Sequence, residues 1–240
     1  MCGITGIYNH LNKPINSGAI IEKIVKRQHS RGPDDKGIWE SKCKKICFGH
    51  NRLSIIDLSK NAKQPFISKD ENFIITFNGE IYNFKEIKKE LIANNVYFKS
   101  DSDTEVIIES YKYWGLDFIK KLRGMFAFAI WDSLKKQMIL ARDPFGIKPL
   151  YYAKKNDIYY FASEVKSLLI IDDVSSNKSD AGVVSYYLWG NVQEPFTLYR
   201  DIKSIERGTC KIINNDGNEE DFKYADIKKT IINSKPLNFK

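Results

Sequence analysis

Cys2 carries the most direct chemical possibility in this chain. It follows Met1, and a small second residue permits removal of the initiator methionine. Removal would leave a thiol and a free α-amine on the same residue. Such an amine titrates near pH 8 and a thiol at about 8.5. Near neutrality, then, a useful share of the amine can take up the thiol proton. One residue would supply both nucleophile and base, and no catalytic histidine is needed. That suits a chain whose three histidines, His10, His29 and His50, stand in no Cys/His arrangement. In Cys2-Gly3-Ile4-Thr5-Gly6 the glycines allow the backbone to approach the thiol closely. The alternative is an incidental small residue near the chain start.

Other groups are less telling by themselves. Cys43, Cys47 and His50 lack zinc-ligand spacing and a matching fourth ligand, so they read as strand cysteines and no metal is expected. Asn78-Gly79 reads alone as a turn. Asp103 reads alone as part of a helix cap, Ser102-Asp103-Thr104-Glu105. The net charge is +8, but only seven of the 38 basic residues are arginine, and the lysines are scattered among acids and amides. That describes a solvated surface and argues against nucleic-acid binding. No apolar run reaches the roughly 18 residues that span a bilayer, and there is no secretory or myristoylation pattern. The expected location is the cytosol, where structural disulfides are rare.

The elements that must position these residues are of mixed type. Strands are expected at Gly3 to Tyr8 and Phe73 to Phe77, with a short one around Tyr97. Helices are expected at Ser17 to Gln28, with Ser17 as cap, at Asn83 to Ala93 with Asn83 as cap, and at Ser102 to Trp114. Met125 to Trp131, Gln137 to Arg142, Leu150 to Ala153 and Ile158 to Ala162 read as an antiparallel meander. Short helices at Glu164 to Ile170 and Asp180 to Trp189 follow. A hairpin is expected around Asn214-Asn215-Asp216-Gly217, and then a polar tail from Asp226. Strands covered by helices predict an α+β fold.

Several blocks converge in order: Cys2-Gly3-Ile4-Thr5-Gly6, Arg31-Gly32-Pro33-Asp34-Asp35, Gly49-His50-Asn51-Arg52-Leu53-Ser54-Ile55, Asn78-Gly79-Glu80-Ile81-Tyr82-Asn83 and Ser102-Asp103-Thr104-Glu105. Gly124 to Ala129, Arg142 to Tyr152 and Ala162 to Lys166 continue the set. Together they resemble the class II glutamine amidotransferase domain of glutamine-hydrolysing asparagine synthetases, over about Cys2 to Gly208. Ser30 stands where the pattern has histidine, and Ser204-Ile205-Glu206-Arg207-Gly208 lacks its usual prolines.

The resemblance implies a four-layer αββα sandwich of two stacked antiparallel sheets, the N-terminal nucleophile hydrolase fold. It implies Cys2 as nucleophile, with Asn78 and the Gly79 N–H as the oxyanion hole. Arg52 would pair with the α-carboxylate of bound glutamine, as suits a bidentate guanidinium. Glu80 and Asp103 would hold the substrate ammonium. Leu53 and Ile56 would complete the glutamine site. No cofactor is implied for this step. ATP and Mg2+ are expected only for a synthetase domain, whose phosphate-binding loop does not occur in the sequence. The expected division is a glutaminase domain over 2–208, then a closing hairpin and linker over 209–240 leading to a synthetase domain or subunit that receives ammonia. A homodimer is held open. Two other functions compete: a glutaminase for a different acceptor, such as a sugar-linked carboxylate in surface-polysaccharide synthesis, and a degenerate binding or regulatory module.

Overall fold

The computed structural model describes residues 1–53 and 63–233. Among these, two antiparallel sheets of six strands each lie face to face. The first sheet contains β1 (Gly3–Asn9), β2 (Asp35–Glu40), β3 (Ile46–Arg52), β8 (Tyr151–Lys155), β9 (Ile158–Ala162) and β10 (Ile202–Ser204). Its spatial order is β10-β8-β9-β1-β3-β2. The second contains β4 (Phe66–Ile67), β5 (Phe73–Ile81), β6 (Gly124–Asp132), β7 (Gln137–Arg142), β11 (Thr209–Ile213) and β12 (Glu219–Lys223). Its order is β12-β11-β7-β6-β5-β4. The hairpin expected around Asn214–Gly217 forms, and β11 adds to this sheet beside β7.

Three apolar clusters define the layers. Ile4, Tyr8 and Phe48 of the first sheet meet Ile74, Ala129 and Leu140 of the second, filling the space between sheets. Ile21, Ile24 and Val25 of α1 (Ser17–Arg27) cover the outer face of the first sheet, together with Leu168 of α4 (Val165–Leu168). The outer face of the second is covered by α2 (Phe84–Ala93), α3 (Asp103–Trp114) and the 3-10 segment Gly115–Lys121, through Leu91, Ile107 and Phe118. The result is the αββα sandwich expected from the resemblance. Two further helices, α5 (Asp180–Trp189) and α6 (Ile227–Asn233), follow these layers in the chain. No helix among the described residues is long and apolar enough to cross a membrane.

Local expectations fail where tertiary pairing overrides them. Asn78-Gly79 is not a turn: β5 runs through it, paired with β6 from Phe73↔Asp132 to Ile81↔Gly124. Glycine is needed there because a Cβ on residue 79 would lie 2.3 Å from the Met125 carbonyl oxygen. The residues around Tyr97 form no strand; Glu105 instead accepts from the Lys99 and Ser100 N–H groups. The expected meander is split. The β6–β7 hairpin lies in the second sheet and β8–β9 in the first, so residues 143–150 cross between them. Asn16, not Ser17, caps α1, accepting from Ala19 N at 3.1 Å. Asn83 stands at the α2 cap, but its side chain bonds Lys121 O and Arg123 N. Cys47 lies on β3 as a strand cysteine, but Cys43 sits in the turn before it, because the chain reverses there between β2 and β3; β2, the rest of β3 and α6 within the polar tail were not anticipated.

Candidate active site

Register brings the first components together. In the pairing of β1 with β3, Gly3 lies opposite Asn51, so Cys2, one residue before the ladder, lies beside the end of β3. There the Leu53 N–H donates to Cys2 Sγ at 3.4 Å, and the thiol in turn lies 3.6 Å from Leu53 O. The Cys2 carbonyl is held by Arg31 Nε at 3.1 Å, and Arg31 is ion-paired with Glu164. On the other side of β1, Ser163 bonds both the N–H and the carbonyl of Ile4, fixing the strand that presents the cysteine.

The opposite wall comes from β5. Alternation along this strand turns Ile74 toward the first sheet, and Thr76 bonds Gly49 O across the gap at 3.2 Å. The same period directs Asn78 and Glu80 to that side. His50 adds a second tie through Nε2 to Phe77 O at 3.1 Å. Its burial lowers its pKa to about 4, so at neutral pH the ring is uncharged and donates through Nε2–H. These two ties set the end of β3 against the middle of β5.

Cys2, Arg52, Leu53, Asn78, Gly79, Glu80 and Asp103 all line one pocket. The structure therefore gathers every expected site residue except Ile56, which lies outside the described residues. Met1 also lines this pocket. The Asn78 side chain is buried, and its Nδ2 donor has no partner among the described residues. Asp103 sits at the start of α3 and accepts from Ile81 N at 3.1 Å. Burial, reinforced by the nearby Glu80 charge, raises its pKa to about 6. Burial also raises the Cys2 thiol, opposed by the Leu53 N–H and by the positive charges of the Met1 amine, Arg52 and Lys148.

Sequence reasoning missed Gln64 and Lys148 as pocket residues. Gln64 accepts from Phe77 N at 2.6 Å and donates to Thr104 Oγ1 at 3.4 Å, so it braces β5 against α3. Lys148 stood within the matched block Arg142 to Tyr152, which carried no assigned role. The remaining cysteines take no part. All four are free thiols. Cys47 packs in the α1-side cluster while His50, three residues on along the strand, reaches the other sheet, so the two point to opposite faces.

The fold is shared with known amidotransferases. A glutamine phosphoribosylpyrophosphate amidotransferase from B. subtilis superposes with a TM-score of 0.67 at 23% identity, over 93% of this chain and 49% of that one. An allosteric regulatory enzyme of purine biosynthesis gives a TM-score of 0.68 at 23% identity. This is the N-terminal nucleophile hydrolase fold. The chain belongs to the glutamine amidotransferase domain family, which it matches over residues 1–225. Asparagine synthetase [glutamine-hydrolyzing] 1 of Bacillus subtilis is 42% identical over 90% of this chain and 34% of its own length. A putative asparagine synthetase of Methanocaldococcus jannaschii is 34% identical over 91% of this chain and 45% of its own. Amidase chry2 of Gibberella zeae is 39% identical over 70% of this chain and 26% of its own. The chain thus spans less than half the length of these relatives.

Proposed function

We propose that this domain hydrolyses glutamine to glutamate and ammonia through Cys2, and that the ammonia serves a synthetase that amidates aspartate. One observation carries the first part: the thiol at the head of β1 shares a pocket with the unpartnered Asn78 amide. Once Met1 is removed, the Cys2 α-amine takes the thiol proton, and Sγ attacks the side-chain amide carbon of glutamine. Asn78 Nδ2–H and the Gly79 N–H stabilise the oxyanion. The α-ammonium returns its proton to the amide nitrogen, the intermediate collapses, and the C–N bond breaks with ammonia as the leaving group. Water, deprotonated by the same amine, then cleaves the thioester and releases glutamate. Arg52 pairs with the substrate α-carboxylate, Leu53 and Ile56 flank it, and Glu80 and Asp103 hold its ammonium. None of these steps calls on a cofactor. ATP and Mg2+ belong to the synthetase step, and the setting is cytoplasmic.

The acceptor reading is supported by the asparagine synthetases among the relatives. The test of the domain itself is glutamate release from glutamine by the purified chain, with removal of Met1 confirmed by intact mass. Release is expected. A folded, trimmed chain that binds glutamine and releases none would favour the binding-module reading.

Asp103 gives this site an acid limit. Its pKa near 6 means that the carboxylate is charged above pH 6 and neutral below it. Only the charged form attracts the substrate ammonium, so affinity is lost as the pH falls. The apparent KM for glutamine should rise about tenfold between pH 8 and pH 5. In Asp103→Asn, KM should be high throughout and this acid-side rise absent. A wild-type KM that stays flat across the range would remove Asp103 from substrate binding.

A further inference from the structure

Residues 143–148 form a loop that is fixed with unusual completeness. The Asp143 carboxylate accepts from the N–H groups of Phe126, Phe145, Ile147 and Lys148, at 3.0 to 3.2 Å. The Arg142 guanidinium donates to Gly146 O at 2.7 Å and Lys148 O at 2.9 Å. Arg142 is itself anchored by Glu194, Ser204 and Ile205. The product of this framework is the placement of one side chain. Lys148 is 7% exposed and lines the Cys2 pocket.

The Lys148 ammonium makes no hydrogen bond or ion pair among the described residues. The side chain is largely buried and its charge faces the pocket without a counter-ion, so an anion that forms there meets it with little intervening solvent. We propose that Lys148 supplies a fixed positive charge that favours the thiolate of Cys2 over the thiol. This rests on Cys2 being the glutaminase nucleophile. The other charged groups around the sulfur are the terminal amine, Arg52 from β3, Glu80 from β5 and Asp103 from α3, with Arg31 and Glu164 behind the Cys2 carbonyl. Arg52 is committed to the substrate carboxylate, and Glu80 and Asp103 oppose a thiolate. Lys148 is the cation left to offset them.

The test is the pH dependence of Cys2 alkylation by iodoacetamide in the Met1-trimmed chain, read at Cys2 by peptide mass spectrometry because Cys43 is also exposed. In Lys148→Met the alkylation midpoint should move up by about 0.5 to 1 pH unit, and kcat for glutamine should fall roughly tenfold. Lys148→Arg should keep the wild-type midpoint. Lys148→Gln is read in the same way should the methionine variant fail to fold. An unchanged midpoint in the neutral variants overturns the proposal. So does a raised KM for glutamine with the midpoint unmoved, which would assign Lys148 to the substrate carboxylate. Failure of the glutaminase reading looks different: no glutamate release from wild type, whatever the alkylation midpoint does.

Discussion

Cys2→Ala releases no glutamate above background from a chain that still folds. Among the described residues the thiol is the one cysteine side chain lining the pocket, and loss of a nucleophile of this kind costs about 10^4-fold or more in kcat. Stability should barely change. Among the described residues the hydrogen bonds of the side chain are those with the Leu53 backbone, while the clamp from Arg31 acts on the Cys2 carbonyl, which alanine retains. A coupled glutamate assay beside a thermal melt separates the two effects. Activity within tenfold of wild type would exclude Cys2 as nucleophile.

Asn78→Ala lowers kcat by about 10^2- to 10^3-fold and leaves the KM for glutamine close to wild type. The expected loss is that of one oxyanion donor, which acts on charge present only in the transition state. The structure makes this variant unusually clean. The Asn78 Nδ2 has no partner among the described residues, so its deletion strands no other buried group. Gly79 cannot be tested in the same way. Any side chain there collides with the backbone of β6 and would disturb the sheet. Steady-state kinetics decide the Asn78 case: a raised KM with kcat unchanged would make the amide a ground-state binding group.

The sequence revealed those elements whose apolar runs are bounded by turn residues. β7, β9 and α5 occur with the limits read from Gln137 to Arg142, Ile158 to Ala162 and Asp180 to Trp189. Beyond Cys47, β3 stayed hidden because Gly49, His50 and Asn51 are polar or small although buried, and their burial exists only once β3 lies between α1 and the second sheet. β2 alternates between half-buried and exposed positions at a sheet edge, and its charged ends conceal it further. Asn78-Gly79 was misread for a related reason. The dipeptide favours turns locally, whereas here one residue offers an amide to a pocket and the other permits close packing of strands. The seven gathered site residues were legible through the ordered blocks, not through local periodicity. Lys148 and Gln64 reach the pocket only by tertiary approach, from a crossing loop and from a segment beside β4.

That crossing loop has a consequence for how the molecule can open. It leaves the second sheet at β7 and enters the first at β8, while the Asp143 carboxylate accepts from Phe126 N–H and its carbonyl accepts from Gly208 N–H. Neither sheet can separate from the other at this end without breaking the Asp143 and Arg142 networks together. The amide hydrogens of Phe145, Ile147 and Lys148 should therefore exchange with solvent at the pace of global unfolding, although they belong to a loop. Mechanically, the sandwich is riveted beside its own active site.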